Sequence, residues 1–181
     1  MLYNRLQFST LRPKYPIRKY VDILDIKSYN RLMERYESKI LKNFEKLDVK
    51  SKEKAIGAFK KVWVSEKVYK EHLKKRIKVG HIKNEEEYFV KTIKCLSNAK
   101  ECKIAIYNSK DTWDRIRYFD NEEWIVIFTE NGEMITSHKK ELTELSFEEK
   151  HKKYGAEIKK GDISDGFKSF FKFLQSKFGI F

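Results

Sequence analysis

The stretch Trp124-Ile125-Val126-Ile127-Phe128-Thr129-Glu130-Asn131-Gly132-Glu133-Met134-Ile135-Thr136-Ser137-His138 decides the fold class. An apolar, β-branched run meets an Asn-Gly pair and is answered by a second run, the pattern of a β-hairpin. Asn-Gly suits a type I′ turn, whose twist matches that of the flanking strands. Such a turn sets Thr129 opposite Met134, Ile127 opposite Thr136 and Ile125 opposite His138. Side chains alternate across a strand, so Thr136 and His138 share a face.

Working back from the hairpin, Arg115-Ile116-Arg117-Tyr118-Phe119 and Lys103-Ile104-Ala105-Ile106-Tyr107 read as two further strands, and Arg115 and Arg117 share a face. Before Cys102 the apolar period is helical. Tyr29, Leu32, Met33, Tyr36, Ile40, Phe44 and Leu47 mark a helix behind Ser28, a candidate N-cap, after an extended opening bracketed by Pro13 and Pro16. A short helix from Ser51 to about Phe59 leads into Val62-Trp63-Val64, a strand-like run. Ser65 caps a helix through about Ile77, and Asn84 opens another with Glu85, Glu86 and Glu87 at its positive end.

Beyond the hairpin, Phe147, Tyr154 and Ile158 suggest one helix, and Phe167, Phe170, Phe171, Leu174 and Phe178 mark a last one after Ser164. A Phe-rich stripe at this spacing is a core face; its other reading is a membrane-surface helix with Lys168 and Lys172 toward headgroups. The whole is an α+β protein: helices followed by a small antiparallel sheet of about four strands, with helical additions at both ends. Residues 1–60 form a helical N-terminal extension, 61–140 the α+β core and 141–181 C-terminal helices packed on it.

The chain has 181 residues and a net charge of +13, concentrated as +6 over residues 1–50 and +9 over 51–110, against −3 over 111–160 and +1 over 161–181. A regional excess of Lys and Arg is the footprint of a phosphate-backbone partner, because each neutralised phosphate releases counterions. A general lysine and glutamate bias also produces such a composition. Cys95 and Cys102 fit neither a zinc pattern nor a disulfide framework and read as free thiols of a reducing compartment. No secretory signal or apolar span follows Met1, which points to the cytoplasm.

Phosphate loops, nucleophile elbows and metal-binding His-Glu-x-x-His helices are absent from the sequence, so no cofactor or metal is expected. The remaining chemistry lies in His, Arg and Thr. His72 and Arg76, four apart on a helix, share a sector with Val68, Tyr69 and Leu73, beside the inward face. Two readings fit that placement. In one, the histidine bonds a backbone carbonyl and the arginine snorkels to solvent. In the other, a helix lying on the sheet gathers His72, Arg76, Thr136 and His138, with Arg115 and Arg117, into a site for metal-free RNA cleavage: His as base or acid, Arg on phosphate oxygens, Thr as hydrogen-bond donor.

The run Val62-Trp63-Val64-Ser65, the helix carrying His72 and Arg76, the helix after it, and the strands ending Ile135-Thr136-Ser137 resemble the barnase/EndoU/colicin/RelE-like nucleases, especially their phage-associated branch, over about residues 62–140. The resemblance implies a metal-independent RNA endonuclease of the toxin type, acting on tRNA or mRNA and held in check by an antitoxin or immunity protein. By position, His72 resembles the helix histidine, Arg76 a phosphate-binding cation and Thr136 the polar residue of the last strand. Lys60, Lys61, Lys74, Lys75 and Lys78 are the further candidates for phosphate contact. The alternatives are a non-catalytic nucleic-acid binder using those lysines with exposed aromatics such as Tyr69, and a protein- or membrane-surface module using the Phe-rich helix.

Overall fold

The computed structural model describes residues 26–108, 114–119, 123–140 and 146–181; the opening with Pro13 and Pro16 lies outside them. The elements in order are α1 (Ile26–Phe44), α2 (Lys52–Ala58), a 3-10 turn (Phe59–Val62), α3 (Glu66–Lys78), α4 (Glu85–Ser97), β1 (Glu101–Ile106), β2 (Arg115–Phe119), β3 (Trp124–Thr129), β4 (Met134–Lys139), α5 (Phe147–Lys152), β5 (Glu157–Gly161) and α6 (Asp165–Lys177). The protein is α+β, with one antiparallel sheet in the order β4-β3-β2-β1-β5.

Side-chain caps explain where most helices begin. Ser51, Ser65, Asn84, Ser146 and Ser164 each accept a backbone N–H from the first turn. Ser28, expected as the cap of the first helix, lies inside α1, which runs from Ile26. Val62-Trp63-Val64 forms no full strand: Val62 closes the 3-10 turn, while Trp63 makes a single parallel bridge to Met134 and the Val64 N–H donates to the Met134 carbonyl at 3.0 Å.

The region after the hairpin departs from the single helix expected over Phe147, Tyr154 and Ile158. Helix α5 stops at Lys152, Tyr154 is exposed, and Ile158 lies in β5, paired with Ala105. Gly155 causes the break: at φ 80° it lets its own N–H reach the Lys152 carbonyl and the next N–H, of Ala156, reach that of His151. This left-handed closure ends the helix and turns the chain back as a fifth strand.

One face of the sheet carries the core. Cys102, Ile104, Ile116, Tyr118, Val126 and Phe128 are fully buried there beneath α4, α6 and α1. Phe167 stacks on Tyr118 at 4.6 Å, and Phe44 of α1 meets Phe171 at 4.9 Å and Phe128 at 6.2 Å. The Phe-rich stripe of α6 is therefore core, and full burial of each such side chain contributes about 1.5–3 kcal/mol.

The β3–β4 hairpin fixes the geometry used below. Ile127 pairs with Thr136 and Ile125 with His138, as the Asn-Gly pattern predicts, but Met134 faces Phe128 instead of Thr129. The Gly132 N–H bonds the Thr129 carbonyl and the Thr129 N–H bonds that of Glu133, so the loop holds three residues, with Gly132 at φ 79°. The extra loop residue is offset by a bulge at Ile135, which restores the predicted register beyond it. A Cβ on Gly132 would sit 2.5 Å from the Lys39 carbonyl carbon, so the hairpin tip lies directly against α1. Asn43 secures that contact, donating to the carbonyls of Val62 and Gly132 at 2.7 and 3.0 Å.

Candidate active site

Helix α3 starts beside the β4 edge because Trp63 and Val64 are bonded to Met134. Four-residue spacing then presents His72 and Arg76 together to Thr136, two residues along β4 from Met134. Thr136 Oγ1 lies 3.2 Å from His72 Nδ1, 3.3 Å from His138 Nδ1 and 3.5 Å from Arg76 Nη2. The four candidates thus meet around one hydroxyl oxygen, the arginine contact being the longest and weakest. His72 bonds a side chain here, not a carbonyl. Arg76 does not snorkel outward; it is buried.

Burial, then the charges of Arg76 and Lys75, holds the His72 imidazole below the ordinary histidine range, so it is neutral at neutral pH. Its ring leans against Trp63 at 5.6 Å. The strand beneath is clamped from the core side: Tyr88 donates to the Ser137 carbonyl at 2.9 Å, and Ser137 Oγ bonds Thr92 Oγ1 at 2.7 Å and accepts from Trp124 Nε1 at 2.8 Å. Arg76 Nε–H is buried with no hydrogen-bond partner.

The cations divide into three groups. Lys61, Lys74, Lys75 and Lys78 are exposed, the last three on α3. Lys60 is ion-paired with Glu66 at 3.1 Å, at the far end of α3 from Arg76. Arg117 and Arg115 lie on the Thr136 face of the sheet, in a cross-strand row that runs Lys160, Lys103, Arg117, Ile127, Thr136 for the first of them. Like charges on neighbouring strands repel. Here Glu101 and Glu148 bond Lys103, and Glu101 also bonds Lys160 at 3.3 Å. Arg117 is buried over the Phe147 ring, and Arg115 donates to the Asp114 carbonyl at 3.1 Å. Tyr69 is not an exposed aromatic: it is buried against Trp63 and Tyr88, and its hydroxyl donates to Glu85 at 2.6 Å.

Sequence reasoning missed a second histidine arrangement on the same face. Under α5, a small cavity of about 30 Å³ is walled by Arg117, Ile127, His138, Lys140, Phe147 and His151. His151 Nδ1 lies 2.5 Å from the Tyr107 hydroxyl, and its ring packs on Phe147 at 4.2 Å. Burial first, with Lys150, Arg115 and Arg117 adding to it, pushes the His151 pKa down to about 4. The signal was present in Ser146-x-x-Glu149, a capping box that starts α5 at Phe147 and sets His151 one turn on, above it.

Among the described residues no group of three or more His, Cys, Asp or Glu side chains is arranged to hold a metal ion, and no helix is long and apolar enough to cross a membrane. A compact α+β chain whose basic α3 meets one sheet edge at a His-Thr-His cluster is the class that fold and site define. Residues 53–179 match the model of the family described as "Uncharacterised protein aq_aa01", and the chain belongs to that family. No curated protein and no solved structure matches it.

Proposed function

We propose that the protein is a metal-independent RNA endonuclease that cleaves by attack of a ribose 2′-hydroxyl on the adjacent phosphate. The observation that carries this reading is the convergence of His72, His138 and Arg76 on Thr136 Oγ1 within 3.5 Å. Transphosphorylation needs a base for the 2′-hydroxyl, an acid for the leaving 5′-oxygen and positive charge at the phosphorane. Two imidazoles supply the first two. Arg76 supplies the third, and its buried, partnerless Nε–H is a donor that gains most from an incoming phosphate oxygen. Lys74, Lys75 and Lys78 then hold flanking phosphates, which suits tRNA or mRNA as substrate. The nuclease resemblance of residues 62–140 supports the same roles, with an acidic antitoxin or immunity protein as the natural check on the basic α3 face.

A second reading, a nucleic-acid binder without catalysis, is favoured by one observation: His138 is only 6% exposed. Incubating the purified protein with total RNA in EDTA separates the two. The nuclease reading expects cleavage to ends bearing a 2′,3′-cyclic phosphate, resistance of a substrate with a 2′-deoxy sugar at the cut site, and a rate about 10²-fold to 10⁴-fold lower in His72→Ala. RNA that binds but stays intact leaves the binder. Cleavage by His72→Ala at the parent rate removes that histidine from the chemistry.

A further inference from the structure

We propose that the groove between α1 and the tip of the β3–β4 hairpin binds one nucleotide of the RNA, its base against Asn43 and its phosphate against Lys42 and Lys46. The choice of RNA rests on the nuclease reading above, while the lysines and Asn43 lie on α1, outside residues 62–140 that carry the nuclease resemblance. Asn43 is only 5% exposed, on a helix face otherwise filled by Met33, Tyr36, Ile40, Phe44 and Leu47. It bonds the carbonyls of Val62 and Gly132 at 2.7 and 3.0 Å. A carbonyl only accepts, so both bonds use the amide nitrogen, which spends its two N–H groups and fixes which way the amide faces. The oxygen Oδ1 is left over. No described group donates to it, and it is not sealed from solvent, because Asn43 lines the groove. A polar atom so placed calls for a donor.

The rest of the groove sets the ligand's class. It encloses about 460 Å³, inside the range of about 300–1,000 Å³ of small-molecule sites. Lys39, Lys42 and Lys46 line it from successive turns of α1, where like charges repel. Lys39 donates to the Glu130 carbonyl at 3.0 Å. Lys42 and Lys46 are exposed and make no ion pair among the described residues. The lysines call for an anion, and Asn43 calls for an N–H. Free phosphate answers only the first call, and Glu45 and Glu133 on the same walls oppose a ligand that is anionic throughout. An amine answers only the second. A nucleotide answers both, with N–H groups on the base edge and a negative phosphate at the other end.

Position ties the groove to the candidate active site. Asn43 fastens both segments that build it: Val62 precedes Trp63, which backs the His72 ring, and Gly132 leads into β4, which carries Thr136. Four residues separate Gly132 from Thr136, about 13 Å at the rise of a strand, a span that one RNA chain bridges. A nucleotide held here is remote from the bond being broken. Its binding is therefore felt equally in the ground state and the transition state, and it lowers KM without raising kcat.

The test titrates the full-length chain with the common 5′-nucleoside monophosphates, and with ribose 5-phosphate and inorganic phosphate as probes that lack a base. Calorimetry gives affinity, and the side-chain amide signals of Asn43, assigned by their contacts to Gly132, report the site. At least one nucleotide should saturate and shift those signals, with the base-free probes about tenfold weaker or more. The double variant Lys42→Gln, Lys46→Gln should melt as the parent does and bind that nucleotide about tenfold more weakly or worse. Equal affinity for the nucleotide and ribose 5-phosphate overturns the proposal, as does unaltered binding by the double variant. Failure of every nucleotide to saturate overturns it too. RNA cleavage separates the groove from the nuclease reading: the double variant should show a KM raised several-fold and an unchanged kcat. Nucleotide binding without any cleavage by the parent defeats the nuclease reading and leaves the groove a nucleotide site. Cleavage by the double variant at the parent KM defeats the groove and leaves the nuclease standing.

Discussion

The two faces of the sheet answer different demands. The face toward α4, α6 and α1 is filled by Ile104, Ile116, Tyr118, Val126 and Phe128, and its polar groups on β4 are spent on internal bonds around Ser137. The opposite face carries Lys103, Arg115, Arg117, Thr136 and His138, with a small second apolar cluster of Ala105, Phe147 and Ala156 beneath α5. One side holds the protein together; the other assembles polar groups that a well-packed core would not need. The difference teaches that alternate residues of one strand can serve stability and chemistry independently, since Thr136 and Ser137 are neighbours in sequence yet belong to separate networks.

The sharpest way to break this division is to put a charge on the core side. Phe171→Asp removes a fully buried ring, at about 3–5 kcal/mol for the lost side chain, and strands an unpaired carboxylate, which costs several more. Thermal melting should show a protein that does not fold cooperatively; a normal melt would show that α6 does not close the core. Next in size is Gly132→Val, which forces a branched residue into a left-handed conformation at about 1–3 kcal/mol and into the α1 backbone at a similar cost. A melting temperature unchanged by that substitution would mean that α1 does not rest on the hairpin.

On the polar face the expected effects are smaller and depend on solution conditions. His151 has a folded pKa depressed to about 4, so between the ordinary histidine value and that point the unfolded chain binds the extra proton. Stability should therefore be complete above about pH 6.5 and fall as the pH drops toward 4, by up to about 3 kcal/mol. Denaturant melts of His151→Asn should lose this slope between about pH 6.5 and pH 5, before the carboxylates titrate; an equal slope in both proteins would place the acid sensitivity elsewhere. Smallest is the effect of Lys75→Gln, on the exposed side of α3. It should leave melting unchanged and lower the slope of log affinity against log salt by about 0.7 if that lysine holds one phosphate of single-stranded RNA. An unaltered slope removes it from the interface.

Much of this was legible in the sequence where a local rule and the tertiary environment agree. The caps Ser65, Asn84 and Ser164, the stripe of α6 and the pairing of Ile127 with Thr136 each follow from spacing and turn chemistry, and they bring His72, Arg76, Thr136 and His138 within reach of one another. The strand β5 was not legible. Its Glu-Ile-Lys-Lys-Gly sequence has one apolar residue and sits at the sheet edge, where pairing with β1 supplies what propensity does not. Tyr69 misled for the opposite reason, because a tyrosine in a lysine-rich helix is not marked as buried until Trp63, Tyr88 and Glu85 surround it. The pocket around His151 depended on packing: the Ser146 capping box sets Phe147 and His151 one turn apart, but only the folded chain lays them over Arg117 and His138.

The three-residue loop and the bulge at Ile135 cancel, and that arithmetic constrains how this chain can change over time. Substitutions in the loop leave the count of residues between Ile127 and Thr136 alone, but losing or gaining one residue there does not. A slip of one position on β4 turns Thr136 and His138 toward the core and brings Ser137 out. Lineages carrying this hairpin are expected to vary its letters freely and its length hardly at all, with any deletion in residues 130–133 accompanied by loss of the bulge at 135.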